Sequence, residues 1–139
     1  MKTKLIAILP AALLIAGCSG THDKGPYVPQ LSKTPAYEST EPVVLLDPGV
    51  QYSVTTTGQP LAHVLDDGRL EVTAQLRNRE NRRIEVQVNC VFKDVNGVST
   101  GDETPFQTLI LTENATEQVK FISANDKAKR YTVRVRQAR

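Results

Sequence analysis

The stretch RLEVTAQLRN, Arg69–Asn78, alternates strictly between polar and apolar residues up to Arg77. Leu70, Val72, Ala74 and Leu76 fall on one side and Arg69, Glu71, Thr73, Gln75 and Arg77 on the other, the period of two that a β-strand imposes on its side chains. One face of this strand belongs to a core and the other to water, as in an antiparallel sheet covered on one side. The stretch RIEVQVNCVFKD, Arg83–Asp94, repeats the device, with Ile84, Val86, Val88, Cys90 and Phe92 inward and Glu85, Gln87, Asn89 and Lys93 outward. Only Val91 breaks the alternation. Cys90 thereby falls in the core register, where a thiol behaves as a small hydrophobe; no neighbouring group is placed to activate it.

Working outward, NRENRR (Asn78–Arg83) joins these two strands as a polar hairpin or a longer connection, and DVNG (Asp94–Gly97) supplies the Asn-Gly pair of a tight turn. Further β-rich runs occur at Val43–Asp47, Gln51–Thr56, Pro105–Leu111, Thr116–Ile122 and Tyr131–Gln137. No run keeps helical spacing over roughly twelve residues. About seven short strands in about 100 residues predict an all-β domain built as a two-sheet sandwich, because a single sheet of this size leaves its apolar face open. A small barrel with the same alternation stays open as an alternative. The chain has no Trp, and this argues against a true immunoglobulin domain without arguing against a sandwich.

The N-terminus carries a different message. Lys2 and Lys4 precede an apolar segment from Leu5 to Ala16, interrupted by Pro10 and followed by Gly17, the order of a secretory signal. The segment falls short of the roughly twenty apolar residues of a membrane-spanning helix. Ile15-Ala16-Gly17-Cys18 resembles the cleavage site of bacterial lipoproteins, an aliphatic residue and two small residues before a cysteine. That resemblance implies that residues 1–17 are a signal peptide and that Cys18 becomes the N-terminus, its thiol bearing a diacylglycerol thioether and its amine a third acyl chain. One chain binds a bilayer marginally, whereas two or more anchor it stably. Ser19, in place of the aspartate associated with inner-membrane retention, implies the periplasmic face of the outer membrane.

Loss of residues 1–17 removes Lys2 and Lys4 and no acid, so the net charge of +2 becomes neutral. A neutral exported chain is no partner for nucleic acid, which calls for a strongly basic domain. With Cys18 acylated, Cys90 has no cysteine to pair with, although oxidising compartments favour disulfides. Residues 18–40, with Pro26, Pro29 and Pro35 and no apolar period, read as a tether of roughly 25 Å end to end, with Tyr27 and Tyr37 as exposed aromatics. Residues 41–139 form the β domain.

Within that domain, VFKDVNG and SANDKAKRYTVRVR resemble the YcfL-like family of small outer-membrane lipoproteins, a family of unknown function. Asp94 and Gly97 stand at the family's Asp-x-x-Gly turn; Asn125, Lys127, Ala128 and Tyr131 match a loop leading into the last strand. The resemblance spans about Leu70 to Arg136 and implies an immunoglobulin-like antiparallel β-sandwich and an envelope location. The chain departs from the family at Phe92, where a Trp or other aromatic usually sits nearer the turn, and at Ala124, where proline is common.

Chemistry is sparse. The two histidines, His22 in the tether and His63 near LDDG, have no Cys or Glu at zinc spacing. DDGR (Asp66–Arg69) lacks the later ligands of a calcium loop and reads as a turn into the following strand. NAT (Asn114–Thr116) is a sequon of use only on a eukaryotic secretory route. No cofactor, metal or catalytic group is expected. The unusual surface feature is basic: Arg77, Arg79, Arg82 and Arg83 crowd one connection, and Lys127, Lys129, Arg130, Arg134, Arg136 and Arg139 crowd the C-terminus. Arg134 and Arg136 share a strand face opposite Tyr131, Val133 and Val135. Arg77, Arg82, Arg83, Arg134 and Arg136 are the candidate partner-binding residues, suited by bidentate geometry to an acidic partner. The competing expectation is a solvated face, its arginines paired across strands to Glu71 or Glu85. The function expected is a lipid-anchored periplasmic binding or accessory domain of an envelope complex, acting without catalysis by raising local concentration near membrane-bound partners. The alternative is a regulator or binder of cell-wall assembly enzymes or polymers.

Overall fold

A computed structural model describes residues 42–138. Residues 1–17, expected to be a signal peptide, and residues 18–40, expected to be a tether beginning at Cys18, lie outside the described residues. In chain order the elements are β1 (Val43–Leu45), α1 (Pro48–Ser53), β2 (Val54–Thr56), β3 (Leu61–Val64), β4 (Leu70–Asn78), β5 (Ile84–Lys93), β6 (Ser99–Glu103), β7 (Gln107–Leu111), β8 (Thr116–Ile122) and β9 (Arg130–Gln137).

The two alternating stretches become the central strands of two different sheets. β4 pairs antiparallel with β8 along one edge, and β2 and β3 share its other edge. β5 pairs antiparallel with β9 along one edge, and β6 and β7 share the other. β1 closes the second sheet by pairing with β9 in parallel, the one departure from an antiparallel pattern among the described pairings. Two separate sheets facing one another make a β-sandwich, so the barrel alternative falls. The inward residues read from period two, Leu70, Val72, Ala74 and Leu76 of β4 and Ile84, Val86, Val88, Cys90 and Phe92 of β5, are all buried, and with Val133, Val135, Phe121 and Leu111 they form one core.

Two sequence expectations change. Gln51–Thr56 is not a single strand: Pro48–Ser53 is helical, and extended chain begins only at Val54. Asp47 caps that helix, its Oδ1 accepting from the Val50 amide at 3.0 Å, and Pro48 stands at its start, so a cap and a preorganised φ override the β-branched composition. β3 and β6 are additional strands, giving nine where about seven were expected. Neither carried a readable period: all four residues of β3 are exposed, and β6 reads STGDE. Of the two readings of Asn78–Arg83, the longer connection holds and the hairpin falls, since the segment crosses from one sheet to the other.

That crossing is held by Asn78, buried at the end of β4. Its Nδ2 donates to the carbonyls of Arg82 at 2.7 Å, Thr112 at 2.9 Å and Leu111 at 3.2 Å, and its Oδ1 accepts from the Glu80 amide at 2.9 Å. One side chain thus joins the β4–β5 crossing to the end of β7. Asn78→Ala removes these bonds and leaves the carbonyl of buried Leu111 without its side-chain donor, each loss costing of order 1 kcal/mol. We expect a loss of about 2 kcal/mol in urea unfolding, with little change in m-value.

The turns follow their sequence. In Asp94–Gly97 the Gly97 amide donates to the Asp94 carbonyl and Gly97 takes φ of 82°, while the Asp94 carboxylate accepts from the Asn96 and Val98 amides. Leu65–Gly68 repeats the arrangement between β3 and β4, with Gly68 at φ 84°. In both, a positive φ closes the loop, which glycine adopts without steric cost.

Candidate functional site

The outer face of the β1–β9–β5 sheet carries the most organised cluster of charge. Period two on β9 sends Val133 and Val135 into the core and Arg134 and Arg136 outward, as read from the sequence. In register, Arg134 lies opposite Asn89 and Arg136 opposite Gln87 on β5. Each arginine is held through its Nε: Arg134 donates to Asn89 Oδ1 at 3.0 Å and Arg136 to Gln87 Oε1 at 2.9 Å. The Arg136 guanidinium lies 3.7 Å from the centroid of the Phe106 ring and that of Arg134 5.6 Å from it, so one aromatic plane underlies both cations.

Glu103, at the end of β6, reaches into this cluster. Its Oε1 accepts from Arg134 Nη2 and, at 2.7 Å, from Asn89 Nδ2; Asn89 also donates to the Thr104 carbonyl at 3.2 Å. Burial, followed by the charge of neighbouring Arg136, pushes the Arg134 guanidinium below its ordinary pKa. Arg136 has no carboxylate partner among the described residues. The cluster therefore sets two cations against one anion.

The other candidates lie elsewhere. Arg77 is exposed on the outer face of the opposite sheet. Arg82 sits on the β4–β5 crossing, where its Nε donates to Glu80, which also accepts from the Ser53 hydroxyl; the Ser53 bond first and the Arg82 bond second hold the Glu80 carboxyl below its usual range. Arg83 is exposed and pairs with Glu85 at 3.1 Å. Arg82 and Arg83 line a cleft of about 300 Å³ with Gly49, Ser53, Glu85 and Gln137. The five arginines thus form no single patch: Arg134 and Arg136 are brought together, Arg82 and Arg83 share the cleft near the start of β5, and Arg77 stands on the other sheet.

The expected cross-strand partners are corrected as well. Glu71 is nearly buried and pairs with Lys120 at 3.1 Å and His63 at 3.6 Å, both across the β3–β4–β8 sheet, and Glu85 pairs with its near neighbour Arg83. Asn89, expected in water, is fully buried under the Glu103–Thr104 backbone and Arg134. Phe106, Glu103, Asn89 and Gln87 were not singled out from sequence. Asn89 and Gln87 carried one signal, their shared outward register on β5; Phe106 and Glu103 reach the cluster through the β6–β7 connection and carried none.

Among the described residues, no three of His, Cys, Asp and Glu are grouped to hold a metal ion, and every buried side-chain nitrogen and oxygen has a hydrogen-bond partner. Cys90 is wholly buried, and desolvation pushes its thiol up to about 12.

Residues 46–137 match the family described as "Protein of unknown function (DUF1425)". The chain belongs to the DUF1425 family. A DUF1425 family member from Shewanella sp. PV-4, solved by crystallography, is 23% identical, with a TM-score of 0.54 over 62% of this chain and 77% of that one. The crystal structure of Campylobacter jejuni cj0090 aligns with a TM-score of 0.57 at 15% identity, covering 70% of this chain and 99% of that one. At these identities the likeness is one of fold. No curated protein matches the chain. The DUF1425 match begins just after β1 and ends at the last residue of β9, so it contains the whole Arg134–Arg136 cluster. The residues behind the earlier family resemblance take structural places: Asp94 and Gly97 close the β5–β6 turn, Asn125 Oδ1 accepts from the Lys127 amide at 2.9 Å, Ala128 is buried, and the Tyr131 hydroxyl donates to the Pro60 carbonyl at 2.9 Å.

Proposed function

We propose that this DUF1425 protein is a lipid-anchored binding domain of the bacterial periplasm, related to the YcfL-like lipoproteins, and serves as an accessory subunit of an envelope complex. Acyl chains on Cys18 hold it at the periplasmic face of the outer membrane, and the outer face of the β1–β9–β5 sheet supplies the contact. The observation that carries the contact is the Arg134–Arg136 pair, immobilised through both Nε atoms above one aromatic ring. Arginines fixed in this way lose little rotamer entropy on meeting an acidic partner. The support for the anchor is the Ile15–Cys18 motif behind a charged and apolar leader. Anchoring confines the domain near membrane-bound partners, raising its effective concentration without any new contact.

Two measurements test this. Cys18→Ser is expected to leave uncleaved precursor without fatty mass in whole-protein mass spectrometry; normally acylated product from that variant refutes the anchor. Crosslinking in cells followed by purification is expected to recover one stoichiometric envelope protein, and Arg134→Glu with Arg136→Glu is expected to lower its yield about tenfold or more. Recovery of glycan strands in its place would assign the domain to cell-wall polymers.

A further inference from the structure

We infer that the outer face of the β1–β9–β5 sheet docks an extended acidic polypeptide segment, and that Glu103 occupies this site as an internal substitute for one of the partner's carboxylates. The inference rests on the proposal that this face is the contact surface, and names what it contacts.

Charge is the first argument. Two guanidinium groups share Phe106, and Glu103 is the one carboxylate bound to them among the described residues. A second carboxylate completes the pairing at Arg136. The bonds already made show which atoms remain: Gln87 takes Arg136 through Nε, leaving the terminal N–H groups for a ligand. Arginine binds carboxylate through such a fork.

Spacing is the second. Arg134 and Arg136 stand two residues apart on one strand, roughly 6.8 Å along its axis. An extended polypeptide presents alternate side chains at the same repeat, so carboxylates at alternate positions meet both arginines in register. A phosphate or a single lipid headgroup has no such repeat. Ile110 and Thr108 of β7 point out of the same face, opposite Glu85 and Gln87, and Ile110 is 45% exposed, so an apolar residue of the segment finds a contact beside the charges.

Glu103 itself supplies the third argument. Its carboxylate is bound by Arg134 and the Asn89 amide, the bonding that a partner's carboxylate receives in this site. It is nevertheless replaceable: its side chain is 48% exposed, and β6 meets β5 at Val91↔Glu103 and Lys93↔Ser99 with an irregularity between them. One carboxylate of the partner displaces Glu103 from Arg134 while the next, two residues along the segment, pairs with Arg136.

The test measures fluorescence anisotropy of a labelled peptide alternating glutamate and serine, titrated with the purified mature chain in detergent. The glutamine counterpart is expected to bind at least tenfold more weakly, and added salt to weaken the glutamate peptide. Arg136→Gln is expected to weaken binding about tenfold. Glu103→Gln is expected to tighten it severalfold, the opposite sign, because it releases Arg134. Glu103→Ser, with thermal melts of both variants, separates this gain from altered folding. If Arg136→Gln weakens binding but neither Glu103 variant tightens it, the substitute role is refuted while the contact surface stands. Indifference to Arg136→Gln, or equal competition by inorganic phosphate or by phosphatidylglycerol in mixed micelles of the same detergent, overturns the acidic polypeptide as occupant. The crosslinking yield of the Arg134→Glu, Arg136→Glu variant judges the contact surface separately.

Discussion

Phe92→Ala is expected to destabilise the domain by about 3–5 kcal/mol, the cost of deleting a fully buried aromatic ring and leaving a cavity behind. Phe92 is completely inaccessible on β5, opposite Tyr131 of β9, and is the largest fully buried side chain among the described residues. Its neighbours on the same strand face, Cys90 and Val88, belong to the common core, so the void opens inside that core. Domains of this size are held by only about 5–15 kcal/mol, and a loss of this order lowers Tm by roughly 15 °C or more. Urea unfolding followed by circular dichroism measures it. A loss below about 1 kcal/mol would show that the core does not close around this ring. Phe92→Leu, which keeps most of the volume, is expected to cost less than half as much.

The second large effect is a loss of stability in alkali that originates at Cys90. Burial raises its thiol from 9.0 to about 12 in the folded chain. The folded state therefore holds a proton that the unfolded state gives up, so the contribution is complete below pH 9 and declines as pH rises from 9 towards 12. At pH 11 the unfolded thiol is ionised and the folded one is not, a difference of about 3 kcal/mol. Tyr131, also raised by burial, adds to the same direction. Unfolding free energies at pH 8 and pH 11 for the wild type and Cys90→Ala supply the measurement. The alanine variant is expected to start less stable and to fall less steeply, and parallel slopes would remove Cys90 as the origin. The same burial predicts that dithionitrobenzoate leaves the native thiol untouched at pH 8 and labels it once the chain is unfolded.

How far the fold was legible depends on how each strand is buried. β4 and β5 are covered on one face over their whole length, and that asymmetry writes itself into the sequence as apolar alternation. β9 was legible for the same reason. β3 was not: it hangs at the rim of its sheet with Leu61 at 74% exposure and Val64 at 56%, so neither face selects for residue type. β6 is a polar edge beside a register irregularity and was equally silent. The helix at Pro48–Ser53 had its signal in Asp47-Pro48, but one and a half turns are too few for a helical period to emerge against a run of β-formers.

The candidate site was half legible. That Arg134 and Arg136 share an exposed face follows from period two along one strand. That they are joined by Phe106, Glu103 and Asn89, and not by Arg77 or Arg82, depends on which strands become neighbours, which no local pattern encodes. Because β4 and β5 diverge into separate sheets, Arg77 near the end of β4 and Arg83 just before β5, close together in sequence, belong to opposite sheets.

By itself the sequence determined the class of fold, the inward set of the two central strands, the burial of Cys90 and the opposite facing of Val133 and Arg134, since each follows from the alternation of side chains along a single extended segment. Only the tertiary structure decided the parallel pairing of β1 with β9, the sealing of the sheet crossing by Asn78 and the assembly of the arginine platform. Those features arise between segments tens of residues apart, where hydrogen-bond geometry and packing select among pairings that the local pattern allows equally.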